Sequence, residues 1–312
     1  MPRWLGVLAL LAIAATFGAN HVAARLAFDH GVNVTTAVAV RSIGTALFVL
    51  VLLRLSRVSI RIPTLTLRRG LAIGLLVSVQ SWCLYSAVAR IPVALALLVF
   101  NTFPIMLGVI SWLAGGERPA RRTLIAMPVA LLGLAIALDV AGFGASGGAT
   151  GGADSRSAAG GAAATGADGF VTMLPGVAFA LTGSAAFGLA LHLTSRWLPE
   201  IDGRLRTLMF MIVVAAAASA GGAFVTGFDW PRDAAGWTGL SLLTVLYGMA
   251  ITGLFVVLPR LGAVNNAAIM NFEPVAALGM AWAVLGQTIA PIQLAGGVVV
   301  IAAILYLSAG RH

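Results

Sequence analysis

Apolar residues run along this chain in long stretches, separated by short segments that carry turn residues or charge. A helix needs about 20 apolar residues to cross the hydrocarbon core of a bilayer. The pattern predicts ten such helices, at 4–24, 35–53, 70–88, 93–114, 123–141, 171–192, 207–226, 238–258, 263–285 and 290–308. The expected fold class is an all-α polytopic membrane protein with ten transmembrane helices. Arg3 followed by an apolar core would also suit a secretory signal. Phe17-Gly18 recurs in a later stretch, which favours a retained first helix.

Composition sharpens this picture. Of 312 residues, 60% are hydrophobic and 9% charged, with a mean hydropathy of +1.01. A soluble domain carries about 25% charged residues, so the chain lacks the polar surface of a soluble enzyme, a nucleic-acid binder or a secreted disulfide scaffold. The formal charge of +9 rests on 19 basic residues, all of them Arg. With the amino terminus in the cytoplasm, 14 of the 19 fall inside, four outside and Arg41 within a span. Excess Arg in short inner loops is a topology signal. It predicts cytoplasmic termini and, for this class of protein, a bacterial inner membrane. Cys83 is the single cysteine and lies in an apolar run, which leaves no disulfide within the chain and no cysteine cluster for a metal.

Residues 142–169 differ from the rest: 10 Gly and 9 Ala fill 19 of these 28 positions. Such a segment buries too little to order itself and reads as a flexible outside linker. It matches Gly142-x-Gly144-x-x-Gly147 by letters, but with no strand before it and no helix opening from it this is not a dinucleotide loop. The expected organisation is a first repeat at 1–141, the linker at 142–169 and a second repeat at 170–312. No cofactor and no metal are expected.

The repeat shows when the chain is shifted by 170 positions. Phe17-Gly18 then meets Phe187-Gly188, Arg90 meets Arg260, Asn101 meets Asn271, Pro104 meets Pro274, Trp112 meets Trp282 and Gly116 meets Gly286. Each half holds five spans. Five is odd, so the second half enters the membrane in the opposite sense, giving an inverted-topology repeat of the kind found in secondary transporters.

The late part of each half reads Asn101-Thr-Phe-Pro104 through Trp112 to Gly116-Glu117, and Asn271-Phe-Glu273-Pro274 through Trp282 to Gly286-Gln287. The early parts read Ala15-Thr-Phe-Gly18-Ala-Asn20 and Ala185-Ala-Phe-Gly188. These segments resemble the paired signature of EamA-type transporters of the drug/metabolite transporter superfamily, over nearly the whole chain apart from the linker. In that family the loop glutamate usually stands in both halves, whereas here the second copy is Gln287. The resemblance implies a carrier of amino acids, metabolites or drugs, not an enzyme.

Several intramembrane residues are candidates for the transport path. Pro104 and Pro274 break their helices near mid-span and free the carbonyls of Phe100 and Met270. Such carbonyls must be buried in protein or face a wet cavity. Glu273 is the one acid deep in a span; charging it there is costly unless it is paired or hydrated, so it is a candidate proton site or contact for a substrate ammonium. Arg41 has three readings: snorkelling to the interface, pairing with Glu273, or holding a substrate carboxylate. Asn101 and Asn271 suit either substrate contact or helix capping, with Asn20, Gln80, Asn265 and Asn266 as weaker cases. Trp82, Tyr85, Phe100 and Phe103 suit either a cavity lining or ordinary packing. Trp4, Trp197, Trp230 and Trp237 read as interface anchors. His21 and His192 lie at opposite depths, too far apart to share a metal, and Glu117 reads as a salt-bridging loop residue beside Arg118 and Arg121.

The function expected is alternating-access transport of small metabolites, amino acids or their derivatives among them, with export the expected direction. Partners are a small-molecule substrate, the lipid bilayer and protons as a candidate, with no nucleic acid and a monomeric or homodimeric state. The alternatives are an exporter of amphiphilic or cationic drugs, or a non-transporting receptor or scaffold. With no Lys there is no ATPase phosphate loop.

Overall fold

The computed structural model describes residues 3–57, 62–88, 93–115, 121–137, 167–262, 266–285 and 291–309. The apolar runs become helices because only a helix satisfies every backbone N–H and C=O within one segment in lipid. They are α1 (Arg3–Asp29), α2 (Val34–Leu55), α3 (Thr64–Val88), α4 (Val93–Phe100), α5 (Phe103–Leu113) and α6 (Arg121–Ala137) in the first half. The second half contains α7 (Ala167–Trp197), α8 (Gly203–Gly221), α9 (Ala234–Leu261), α10 (Phe272–Leu285) and α11 (Pro291–Ala309). A π-helical turn, Gly222–Thr226, extends α8, and a 3-10 turn, Ala267–Asn271, precedes α10. There is no strand among the described residues.

Among the described residues, six segments are long and apolar enough to cross a membrane: Trp4–Asp29, Val34–Leu55, Ala96–Leu113, Met173–Trp197, Gly203–Thr226 and Ala234–Leu261. Large side chains such as Leu47, Phe48, Val51, Leu75, Leu132 and Val298 point outward. An apolar exterior of that extent is stable against lipid tails and not against water. Helix ends differ from the predicted spans mainly by extension, as α1 reaches Asp29 and α7 starts at Ala167. The last three positions of the expected linker are therefore helical, and the rest of that linker lies outside the described residues, as do Arg90, Glu117, Asn265 and Gln287.

A shift of 170 positions carries α1, α2, α3, α5 and α6 onto α7, α8, α9, α10 and α11 within a few residues at each end. The packing is mostly between halves. Helix α1 lies against α9 and α10, and α7 correspondingly lies against α3 and α5. Contacts Gly6–Leu261, Ile13–Gly253 and Ala27–Gly239 make α1 and α9 antiparallel. Equivalent helices also meet head to tail: Ser56 and Thr35 of the α2 region touch Arg204 and Thr226 of the α8 region. Arg122 and Gly133 of α6 meet Tyr306 and Val299 of α11. The shared core, around the Phe210–Phe255 edge-to-face pair at 5.0 Å, draws side chains from both halves.

The helix starts are capped by side chains that their sequences supply. Asn33 accepts from Thr36 N–H, Asp202 from Arg204 N–H and Asp233 from Gly236 N–H. Gly262 ends α9 with φ of 85°, a conformation that L side chains rarely adopt. The loop before α2 is strapped to the loop before α9: His30 Nδ1 lies 2.6 Å from Asp233 Oδ2 and Asn33 Nδ2 donates to Asp229 Oδ2 at 3.0 Å.

The guanidinium of Arg204 donates to Asp202 and holds its carboxyl below the ordinary value of 3.8. A depressed carboxyl stabilises the fold fully above that ordinary value, and the contribution disappears as pH falls through the lower folded value. Asp202→Ala is expected to cost about 1 kcal/mol at neutral pH. The gap to wild type should close on acidification below the carboxylate range, as read by denaturation of the detergent-solubilised protein across pH.

Candidate functional site

Both helix breaks fall where the paired prolines stand. In the first half, α4 stops at Phe100, Asn101 and Thr102 form the turn, and Pro104 occupies the first turn of α5, where a missing N–H costs nothing. The polar turn residues serve the frayed end. Asn101 Nδ2 donates to Leu97 O at 2.8 Å, and Thr102 Oγ1 donates to Val99 O at 2.7 Å and lies 2.9 Å from Ser184 Oγ on α7. Asn101 thus serves a carbonyl of the last turn of α4. In the second half the break is the 3-10 turn, with Asn266 Nδ2 donating to Leu261 O and Gly262 O. Asn271 is fully buried there, and its Oδ1 has no hydrogen-bond partner among the described residues.

Each broken helix is approached by the opening helix of the other half at a glycine. A Cβ built on Gly18 would stand 2.8 Å from Ala277 N and 2.9 Å from Glu273 O; one on Gly188 would stand 2.9 Å from Leu107 N. Ala277 and Leu107 are repeat equivalents, so the Phe-Gly motif of α1 and α7 is the point of backbone contact in both halves.

This approach brings Glu273 to α1. Its Oε1 lies 2.6 Å from His21 Nε2, with the two side chains 17% and 34% exposed respectively. His21 follows Gly18 by three residues, which places both on one helix face. One turn before His21, Phe17 packs edge-on against Tyr247 of α9 at 6.2 Å, and Arg41 of α2 lies over the same Tyr247 ring at 4.1 Å. Arg41 is only 5% exposed, so it does not snorkel to the interface. His21 with Glu273 and Arg41 with Tyr247 therefore form two polar pairs, on α1 and α10 and on α2 and α9, with Phe17 one turn before His21 packed on Tyr247.

The repeat equivalents of these four residues are Leu191, Met211, Val77 and Phe103, all buried members of the apolar core. Phe103 packs with Phe187 at 5.0 Å and with Phe100 at 5.9 Å. The duplicated frame thus carries a polar constellation on one side of its pseudo-axis and a dry aromatic one on the other.

The remaining candidates are distributed more widely. Trp82 is exposed and its ring lies on Gly221 of α8. Tyr85 lies on α3, its side chain outside the described residues. Sequence reasoning missed His21 as the partner of Glu273, and missed Tyr247 altogether. The available signal was Gly18, whose close approach to α10 sets the face on which His21 stands. No three His, Cys, Asp or Glu side chains converge as a metal site among the described residues.

The profile of the EamA-like transporter family matches residues 4–138 and again residues 174–309. Comparison with the curated proteins gives no match. Among solved structures, a crystal structure described only as that of a protein aligns over 97% of this chain and 96% of its own, with a TM-score of 0.75 and 14% identity. That similarity concerns the fold alone. With the family profile covering both halves and an apolar multi-helix exterior, the chain belongs to the EamA-like transporter family and is a multi-pass membrane transporter of the drug/metabolite type.

Proposed function

We propose that the chain is a ten-span secondary transporter of two inverted five-span repeats, exporting amino acids or closely related metabolites by alternating access. Its place would be a bacterial inner membrane, with both termini in the cytoplasm as the Arg distribution suggests. The head-to-tail meeting of α2 with α8 and of α6 with α11 supports the inverted arrangement, since repeat-equivalent helices that run in opposite directions give two related states.

The observation that carries the substrate class is the presence of two polar pairs, Arg41 with Tyr247 and His21 with Glu273, in helices otherwise apolar. Intramembrane ionisable residues are expensive and mark substrate or ion paths. A guanidinium on α2 and a carboxylate on α10, two helices that both pack against α1, suit the two ends of a zwitterion, with Asn271 as a further hydrogen-bonding group. On this reading Asn101 and Phe103 belong to the supporting, apolar side, and substrate contact by Trp82 or Tyr85 is secondary.

The test is counterflow of labelled amino acids, nucleosides and cationic drugs in proteoliposomes. Amino acids are expected to exchange, and Arg41→Ala to raise their KM about tenfold, with Arg41→Lys intermediate because an ammonium cannot reproduce the planar fork. Exchange of cationic drugs alone would favour the drug-exporter alternative. Absence of exchange for every solute would favour the receptor or scaffold.

A further inference from the structure

The loop between α7 and α8, together with the last turn of α9, borders a cavity of about 300 Å³. That is the lower end of the size range of small-molecule sites. Ser195, Glu200, Asp202, Arg206 and Arg260 are among its lining residues, and none of His21, Arg41, Tyr247 and Glu273 is. We propose that this cavity binds a phosphate group with net negative charge, carried by an anionic phospholipid headgroup or by a free phosphate.

Arg206 carries the assignment. It lines the cavity and is only 5% exposed. Its Nε donates to Ile201 O at 2.8 Å, while its Nη1 has no hydrogen-bond partner among the described residues. No carboxylate of the described residues forms an ion pair with it. Asp202 is already engaged, since Arg204 donates to both of its oxygens at 2.9 Å, and Glu200 is exposed. A buried charge without a partner is strongly destabilising, so an anion in the cavity supplies the countercharge that the fold leaves out. Arg260, exposed in the last turn of α9, brings a second cation to the same cavity. The first turn of α8 adds the positive end of its helix dipole.

Starting α8 does not itself require an arginine here. The repeat equivalent of Arg206 is Thr36, fully buried in the first turn of α2. The duplicated frame is therefore built with a small neutral residue in one half and a buried cation in the other. The neighbouring residues place the cavity at headgroup level. Trp197, at the end of α7, lies with its ring 5.9 Å from the guanidinium of Arg69, a pairing suited to the membrane interface. On the orientation proposed above this face is cytoplasmic, where basic pockets between spans take anionic headgroups.

The experiment is thermal unfolding of the full chain in neutral detergent with phosphatidylcholine, titrated at fixed ionic strength with dioleoylphosphatidylglycerol or with inorganic phosphate. A ligand of the folded state raises the melting temperature by mass action, and the concentration dependence gives an apparent Kd. A rise is expected for the wild-type protein. A response to phosphatidylglycerol alone assigns the headgroup, and a response to inorganic phosphate, alone or as well, assigns a site open to the free anion. Arg206→Gln is expected to weaken the apparent affinity about tenfold or more, and the double variant with Arg260→Gln about a hundredfold. Arg121→Gln removes an exposed arginine that does not line the cavity, and is expected to stay within about twofold of wild type. Where Arg206→Gln does not fold, Arg260→Gln alone is expected to weaken binding about threefold. No response to either addition, an affinity unchanged in the cavity variant that folds, or an equal loss in Arg121→Gln overturns the proposal. The readout involves no transport, so the amino-acid reading stands or falls separately.

Discussion

Glu273→Gln is expected to lower the transport efficiency of the protein about 10- to 150-fold while leaving it folded. The side chain keeps its shape, and its amide oxygen still accepts from His21 Nε2 across the 2.6 Å gap. What disappears is the negative charge. A hydrogen bond to a charged partner contributes about 1.5–3 kcal/mol, which sets the range of the rate effect at roughly tenfold per 1.4 kcal/mol. Kinetics of amino-acid counterflow check the loss, and a melting temperature close to wild type separates it from misfolding. Unchanged kinetics would mean that the carboxylate closes the helix break at Pro274 and does nothing for the substrate.

The second large effect concerns packing. Gly18→Val and Gly188→Val are each expected to destabilise the protein by about 3 kcal/mol or more, at the upper end of overpacking costs. Even the first carbon added at Gly18 meets backbone atoms of α10 at 2.8 and 2.9 Å, and at Gly188 the amide of Leu107 at 2.9 Å. A backbone cannot rotate away as a flexible side chain can, so the helices must separate. Gly279→Ala provides the contrast, since nothing described lies within 4 Å of its added carbon. There the better helix propensity of alanine should stabilise by about 0.5–1 kcal/mol. Thermal unfolding of the three variants in one detergent decides the matter; similar melting temperatures for all three would show that the interlocked contacts contribute little.

Much of the frame is legible from the chain because its causes are local. Proline removes an N–H donor and crowds the preceding turn. Pro104 and Pro274 stand just after breaks because a polar Asn-containing turn precedes each, whereas Pro128 and Pro175 lie inside the continuous helices α6 and α7. Apolar length predicts each helix, and the 170-residue shift relates them. The site is less legible because its members are joined only through packing. Counting depth along separate spans leaves Glu273 without a specific neighbour and offers pairing with it as only one of three readings of Arg41. The structure instead seats His21 against Glu273 and Arg41 over Tyr247, because Gly18 lets α1 and α10 touch. The asymmetry is hidden for another reason. A repeat is found through positions that match, whereas His21 against Leu191 and Glu273 against Phe103 are informative because they do not.

The interlocking of the halves also governs how the protein is made. Helix α1 is synthesised well before α9 and α10, so Ala27 awaits Gly239 and Gly18 awaits Ala277. At about 5–20 residues per second on the ribosome, those contacts become available only about 10–50 s after α1 has emerged. During that interval the bare glycine face and His21 must be sheltered by insertion machinery or by lipid. Translation that stops before α9 therefore leaves an opening helix with no place to dock, a form that membrane quality-control proteases would recognise.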